Sequence, residues 1–241
     1  MDALVAFAAA LLALRLAGLL SGRYRASADR SPEAAGNSGR ATAALPPSLP
    51  APRPELLAWA AGLAAYAVAA AAIAWGEAAG WDGRAFRVYY AAGALLTAPL
   101  LGAGSLLLAG RRRAAPVALV YAGLAVGISL AVPVHGAFAA HGIPAAQDHL
   151  AFLPARLLAI LANAVGTLAV VVIALRSFRR RPLGNGLIVA GIAAAATGSG
   201  LAGLGATGSA VGIAVGAALL YAGFVAPTHI PRVFRPKMAP R

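Results

Sequence analysis

The stretch VPVHGAFAAHGIPAAQDHLAFLPARLLAILANAVGT, residues 132–167, joins a polar, histidine-rich loop to a long apolar segment. Apolar stretches of about 20 residues, the length needed to cross a bilayer as a helix, lie on both sides of this loop. The stretch therefore predicts a polar loop at one end of a bundle of membrane helices. The helix that follows the loop carries Arg156 and Asn163 into the bundle.

The composition of the whole chain agrees with a membrane protein. Of its 241 residues, 61% are hydrophobic and 11% are charged, whereas soluble domains carry about 25% charged residues. Seven apolar segments are predicted to span the membrane, at residues 4–20, 56–75, 88–109, 116–134, 154–175, 183–200 and 210–226. We therefore expect an all-α membrane protein, a bundle of seven transmembrane helices whose first partner is the lipid bilayer.

The basic residues predict the orientation of this bundle. Sixteen of the 20 lysines and arginines fall on one side, Arg84, Arg87 and Arg156 fall on the other, and Arg15 lies within the first segment. Because basic loops stay in the cytoplasm, the N-terminus is predicted outside and the C-terminus in the cytoplasm. The heavy use of arginine, alanine, glycine and proline is typical of a GC-rich prokaryotic genome, so the predicted location is the plasma membrane as a multi-pass protein.

Four parts of the chain follow from this topology. They are a first transmembrane helix at 1–20, a flexible Pro/Ser/Arg-rich cytoplasmic linker at 21–54, a six-helix transmembrane core at 55–227 and a basic cytoplasmic tail at 228–241. The linker has no apolar periodicity and contains five prolines close together, a composition that does not bury enough surface to order itself.

Polar groups collect on the predicted outer side. They are His135, His141, Asp148 and His149 of the loop, with Glu77 and Asp82 of the preceding outer loop. Imidazole and carboxylate groups suit a metal such as zinc or copper, and histidine also titrates near neutral pH. The spacing of the histidines matches no compact metal motif. Metal or haem ligation, proton-linked sensing or catalysis, and a purely interfacial role all stay open.

A second polar set follows one face of the fifth segment. Arg156, Asn163 and Thr167 share this face, and Asn163 lies about 13 Å beyond Pro154 at 1.5 Å per residue. An amide at that depth must find a partner, either a neighbouring helix or a ligand. Arg156, near the outer boundary, is predicted to bind an anion or to pair with Asp148.

Two features of the other segments bear on packing. Pro99 interrupts the third segment, and because proline lacks an N–H it frees a carbonyl that a neighbouring helix must satisfy. Glycines are frequent in the last two segments, where Gly212 and Gly216 have the spacing of a helix-packing face. This face predicts contact with another helix, in a homo-oligomer or with another membrane subunit.

The remaining sequence excludes several functions. The net charge of +13 comes without a nucleic-acid-binding motif, so no nucleic-acid partner is predicted. Cysteine is absent, which excludes thiolate metal sites and cysteine nucleophiles. Two GxGxxG matches near Gly203 lack the strand that a dinucleotide site requires.

The function favoured by the sequence is that of a non-enzymatic, receptor- or sensor-like membrane subunit that binds a small molecule or a partner in an outward-facing polar pocket. The predicted ligand-binding residues are Arg87, Tyr90, His135, His141, Asp148, His149, Arg156 and Asn163. A small-solute transporter is the first alternative, and a membrane enzyme that uses the outer histidines and acids is the second. The sequence names no cofactor.

Overall fold

The computed structural model describes residues 2–36, 53–139, 142–203 and 209–226, and in these ranges every regular element is a helix. We number the long helices α1 (Asp2–Gly36), α2 (Pro54–Ala79), α3 (Gly83–Leu108), α4 (Ala114–Ala131), α5 (Phe152–Arg176), α6 (Pro182–Gly203) and α7 (Ser209–Val225). The first six are long and apolar enough to cross a membrane, whereas α7 is apolar but has 17 residues. A multi-pass membrane protein is therefore the class that the structure supports.

The first helix is longer than the sequence analysis predicts. It continues to Gly36, so residues 21–36 of the predicted flexible linker are helical. Tyr24 packs against the bundle and Ser27 is buried, and these contacts favour helix beyond the apolar segment. Residues 37–52 of the predicted linker and the whole of the predicted tail lie outside the described residues.

Six of the helices form a ring. Helix α1 packs against α2 and α7, α2 against α3, α3 against α5, and α6 against α7. The contact between α5 and α6, which completes the ring, is sparse. Helix α4 lies outside the ring against α3, and Ala125 is its one buried residue.

Glycines set the closest helix crossings. A Cβ on Gly102 would lie 2.6 Å from the Cα of Gly166, so α3 and α5 approach each other at backbone distance. Gly212 and Gly216 face Gly198 and Ala195 of α6 in the same way. The predicted packing face of α7 is thus occupied by α6 of the same chain, and oligomerisation remains a prediction that needs another surface.

The two ends of the ring differ. The loop end carries residues 132–151, which join α4 to α5 and contain a one-turn helix at Ala146–His149. The arginine end carries the basic connections that follow α3 and α5, and a buried cluster that includes Leu16, Leu63 and Leu220 fills the ring there. The interior is therefore packed solidly at the arginine end.

Candidate functional site

A cavity of about 680 Å³ occupies the inside of the ring. Helices α2, α3, α5, α6 and α7 line it, and at the loop end it reaches Pro144 and Ala146. Its floor is formed by Leu101, Val170 and Leu220, which belong to the packed cluster at the arginine end. Ligand sites of proteins typically enclose about 300–1,000 Å³, so the cavity has the size of a small-molecule site.

One wall of the cavity is a π-helical segment, Tyr90–Thr97, in the middle of α3. Pro99 follows it and has no N–H to donate, which leaves the carbonyls four and five residues earlier, Leu95 and Ala94, without that donor. The Tyr121 hydroxyl donates to the Leu95 carbonyl oxygen at 2.6 Å, and Asn163 Nδ2 donates to that of Ala94. The prediction that neighbours satisfy the carbonyls freed by Pro99 is confirmed.

Asn163 is both a packing residue and a cavity residue. Its Nδ2 also donates to the Ala159 carbonyl oxygen at 2.8 Å, so both amide hydrogens bond to backbone. The side chain lines the cavity, as do Thr167 and Tyr90. The two predicted alternatives, a neighbouring helix or a ligand as the partner of this amide, are therefore not exclusive. Its amide oxygen is the atom left for a ligand.

His149 is buried in the loop end rather than in the cavity wall. Its Nδ1 donates to the His135 carbonyl oxygen at 2.9 Å, and the His135 N–H donates back to the His149 carbonyl oxygen at 3.0 Å. The imidazole stacks on Phe138, with 4.2 Å between ring centroids, and contacts Phe86. This histidine closes the loop on itself, which is a structural role.

The other predicted outer groups do not come together. The side chains of His135 and Asp148 are exposed, and His141 lies outside the described residues. Glu77 accepts a hydrogen bond from Trp81 Nε1 at 3.2 Å, and Asp82 caps the first turn of α3. Within the ranges that the structure describes, no three His, Asp or Glu residues could hold a metal ion. The outer histidines and acids are therefore not gathered into one site within these ranges.

Arg87 caps α4. Its Nη1 donates to the carbonyl oxygens of Ser129 at 2.6 Å and Leu130 at 3.4 Å, at the last turn of the helix. A cation at this position also interacts favourably with the helix dipole. Arg87 lies beside a small crevice rather than the large cavity, so a structural role is the one its contacts support.

Arg156 lies at the loop end of α5, seven residues before the cavity residue Asn163, and does not itself line the cavity. Its guanidinium lies over the Phe152 ring, 5.7 Å from the centroid, and acts electrostatically on Tyr90. In the described part of the chain it has no carboxylate partner, and the predicted pair with Asp148 is not formed. Arg156 is partly buried and keeps its hydrogen-bond donors free there.

Two tyrosines of the cavity were not among the predicted site residues. The Tyr66 hydroxyl, from α2, donates to the Ile213 carbonyl oxygen of α7 and so ties two walls together. Tyr89 lines the loop end of the cavity, and its hydroxyl bonds to no residue in the described ranges. Tyrosines inside apolar segments were the available signal, since a buried hydroxyl usually has a partner.

Comparison with known proteins does not extend this assignment. No protein-family model, no characterised protein and no solved structure matches the chain.

Proposed function

We propose that the chain is a seven-helix protein of the plasma membrane that binds a small molecule in the cavity of its helix ring. In this proposal the loop end faces outward and the arginine end faces the cytoplasm, as the distribution of basic residues favours. The N-terminus then lies outside. The protein is a non-enzymatic binding subunit.

The cavity is the observation that carries the proposal. A bundle that served only as an anchor would gain stability by filling this space, because empty volume removes dispersion contacts from its lining. The walls combine apolar side chains with a few polar groups, among them Tyr90, Asn163 and Thr167. That combination is typical of small-molecule sites, where the polar groups orient a mainly apolar ligand.

This pocket differs from the one predicted from the sequence. Tyr90 and Asn163 line it, whereas His149 is committed to the loop and Arg87 to α4. The proposed ligand therefore contacts mostly aliphatic surface. Polar recognition falls to a few groups, Tyr90 at the loop end and Asn163 and Thr167 deeper along α5.

Filling the cavity tests the proposal. Ala164 lines the cavity and the adjacent Val165, 66% exposed, does not, so Ala164→Trp and Val165→Trp form a matched pair. The probe is diazirine-bearing dodecanol, crosslinked by light to the protein in liposomes and located by peptide mass spectrometry. We expect crosslinks on cavity residues of α3 and α5, lost in Ala164→Trp and kept in Val165→Trp. Crosslinks confined to the outer surface would refute a cavity site.

A transporter is the second candidate, and the broken hydrogen-bond pattern of α3 beside a central cavity favours it. Transport requires a second state in which the floor opens toward the arginine end. Because the chain has no cysteine, Leu220→Cys reports on this opening directly. Labelling by a membrane-impermeant maleimide added to the cytoplasmic side supports transport, and complete protection argues against it.

A further inference from the structure

Building on the proposed cavity site, we propose that its ligand is an anionic single-chain amphiphile of the membrane. The charged head lies at Arg156 and the chain occupies the cavity, entering from the lipid between α5 and α6. Three observations on the described residues carry this proposal. They concern the head, the chain and the path of entry.

The head site is formed by free donors at the loop end. Arg156 shares a helix face with the cavity residues Asn163 and Thr167, and in the described residues it has no carboxylate to neutralise it. The Tyr89 and Tyr90 hydroxyls have no hydrogen-bond partner in the same ranges, and both residues line the cavity. A guanidinium with neighbouring hydroxyl donors binds phosphate or carboxylate oxygens well.

The chain site is the apolar remainder of the cavity. Along α5 the wall begins at Asn163, and Arg156 lies seven residues before it, toward the loop end. The distance from Arg156 to the wall residue Leu168 is about 18 Å along the helix, at 1.5 Å per residue. One leaflet of the hydrocarbon core is about 15 Å thick, half of the whole. A ligand with its head at Arg156 thus reaches the floor near Leu101 with a chain of ordinary lipid length.

The path of entry is the loosely closed side of the ring. Helices α5 and α6 are joined at the arginine end, where Asn185 Nδ2 donates to Ser177 Oγ at 3.0 Å, but they contact each other sparsely elsewhere. Leu168 is 63% exposed, and Ala196 is exposed as well, yet both line the cavity. The cavity is therefore continuous with the lipid-facing surface between these helices.

A pair of probes that differ only in the head tests the ligand class. Diazirine-bearing hexadecyl phosphate is anionic and diazirine-bearing hexadecanol is neutral, and both are supplied in phosphatidylcholine liposomes that contain the full chain. We expect the phosphate probe to crosslink the cavity about fivefold more than the alcohol, the effect of one basic residue near a membrane surface. Arg156→Gln removes this preference, whereas Arg176→Gln, at the other end of α5, keeps it.

The remaining outcomes separate the proposals. Equal crosslinking of the cavity by both probes, or an unchanged preference in Arg156→Gln, overturns the anionic ligand and leaves the cavity site intact. Crosslinking by neither probe removes the cavity site as well. Displacement of the phosphate probe by excess inorganic phosphate would assign the head site to a soluble anion instead of a lipid.

The entry path has its own variants. Ala196→Trp places an indole in the opening between α5 and α6, and Ala190→Trp places one on an exposed part of α6 outside the cavity lining. We expect crosslinking by hexadecyl phosphate to slow in Ala196→Trp and to keep its rate in Ala190→Trp. Equal rates in the two variants would exclude lateral entry.

Discussion

At the scale of single residues, the structure is dominated by how Pro99 is accommodated. Pro99 has no N–H to donate to the Leu95 carbonyl oxygen. This oxygen accepts a hydrogen bond from the hydroxyl of Tyr121, on a helix outside the ring. The Ala94 carbonyl receives a hydrogen from Asn163, which also lines the cavity. One proline thus links the position of α4 to the wall of the candidate site.

This link predicts a coupling between Tyr121 and Pro99. Tyr121→Phe removes the donor to Leu95 and lowers the free energy of unfolding by about 1 kcal/mol, because a carbonyl in the membrane loses its partner. In a Pro99→Ala background the backbone N–H of residue 99 replaces the hydroxyl, so the same change costs less than half as much. Unfolding titrations with SDS in bicelles measure both values, and simple additivity would contradict the prediction.

The glycine crossing of α3 and α5 makes a second prediction at this scale. A Cβ on Gly166 would lie 2.7 Å from Pro99 N, and backbone cannot move away as a side chain can. Gly166→Ala should therefore lower the free energy of unfolding by about 1–3 kcal/mol. Gly127→Ala, in open space on α4, is the control and should be neutral or stabilising. Equal effects of the two changes would show that this crossing is not tight.

At the scale of elements, the loop of residues 132–151 is the part whose structure departs most from expectation. It was predicted to present histidines to a ligand. Instead His149 turns inward, bonds to the His135 backbone, stacks on Phe138 and contacts the tilted ring of Phe86. A buried imidazole that bonds to a carbonyl and packs on Phe138 stabilises the closed form of this loop.

The contacts of His149 predict where amide hydrogen exchange accelerates when its side chain is removed. In His149→Ala, amide hydrogen exchange within residues 132–150 should accelerate about fivefold, because one hydrogen bond and the ring contacts are lost. The exchange of α2 and α3 should stay unchanged. His135→Ala is the matched control, since its side chain is exposed and only its backbone bonds to His149. Equal acceleration in both variants would show that the His149 side chain does not hold the loop together.

The elements themselves were predictable because membrane helices depend on local apolarity. Six of the seven predicted segments coincide with helices long and apolar enough to cross a membrane, and the seventh coincides with the shorter helix α7. The lengths differ, as the extension of α1 to Gly36 shows. The π-helical turn at Tyr90–Thr97 was not predictable, since it depends on donors from α4 and α5 that lie far away in sequence. Asn163 was identified for a physical reason, the cost of an amide at membrane depth.

At the scale of the whole molecule, the ring and its cavity are the features that sequence reasoning missed. In an alanine- and glycine-rich chain every helix has several faces that allow close packing. The sequence pattern therefore does not predict which helix packs against which. The contact between α1 and α7, the first and last of the described helices, is an example. The cavity exists because this helix packing leaves α5 and α6 apart toward the loop end.

The proposed orientation makes a prediction about the intact cell. Because the chain has no cysteine, Ala137→Cys in the loop and Arg112→Cys between α3 and α4 each provide a single thiol. A membrane-impermeant maleimide added outside should label Ala137→Cys at once and Arg112→Cys only after permeabilisation. The reverse pattern would invert the topology and place the opening of the cavity in the cytoplasm.

The outlying position of α4 has a consequence for how the protein is made. This helix buries one residue, Ala125, and meets the ring through the Tyr121 and Arg87 hydrogen bonds. Its insertion into the bilayer therefore depends on its own apolar side chains and gains little from neighbours. During synthesis α4 can enter the membrane before α5 to α7 exist, and it stays against α3 on the outside while those later helices close the ring.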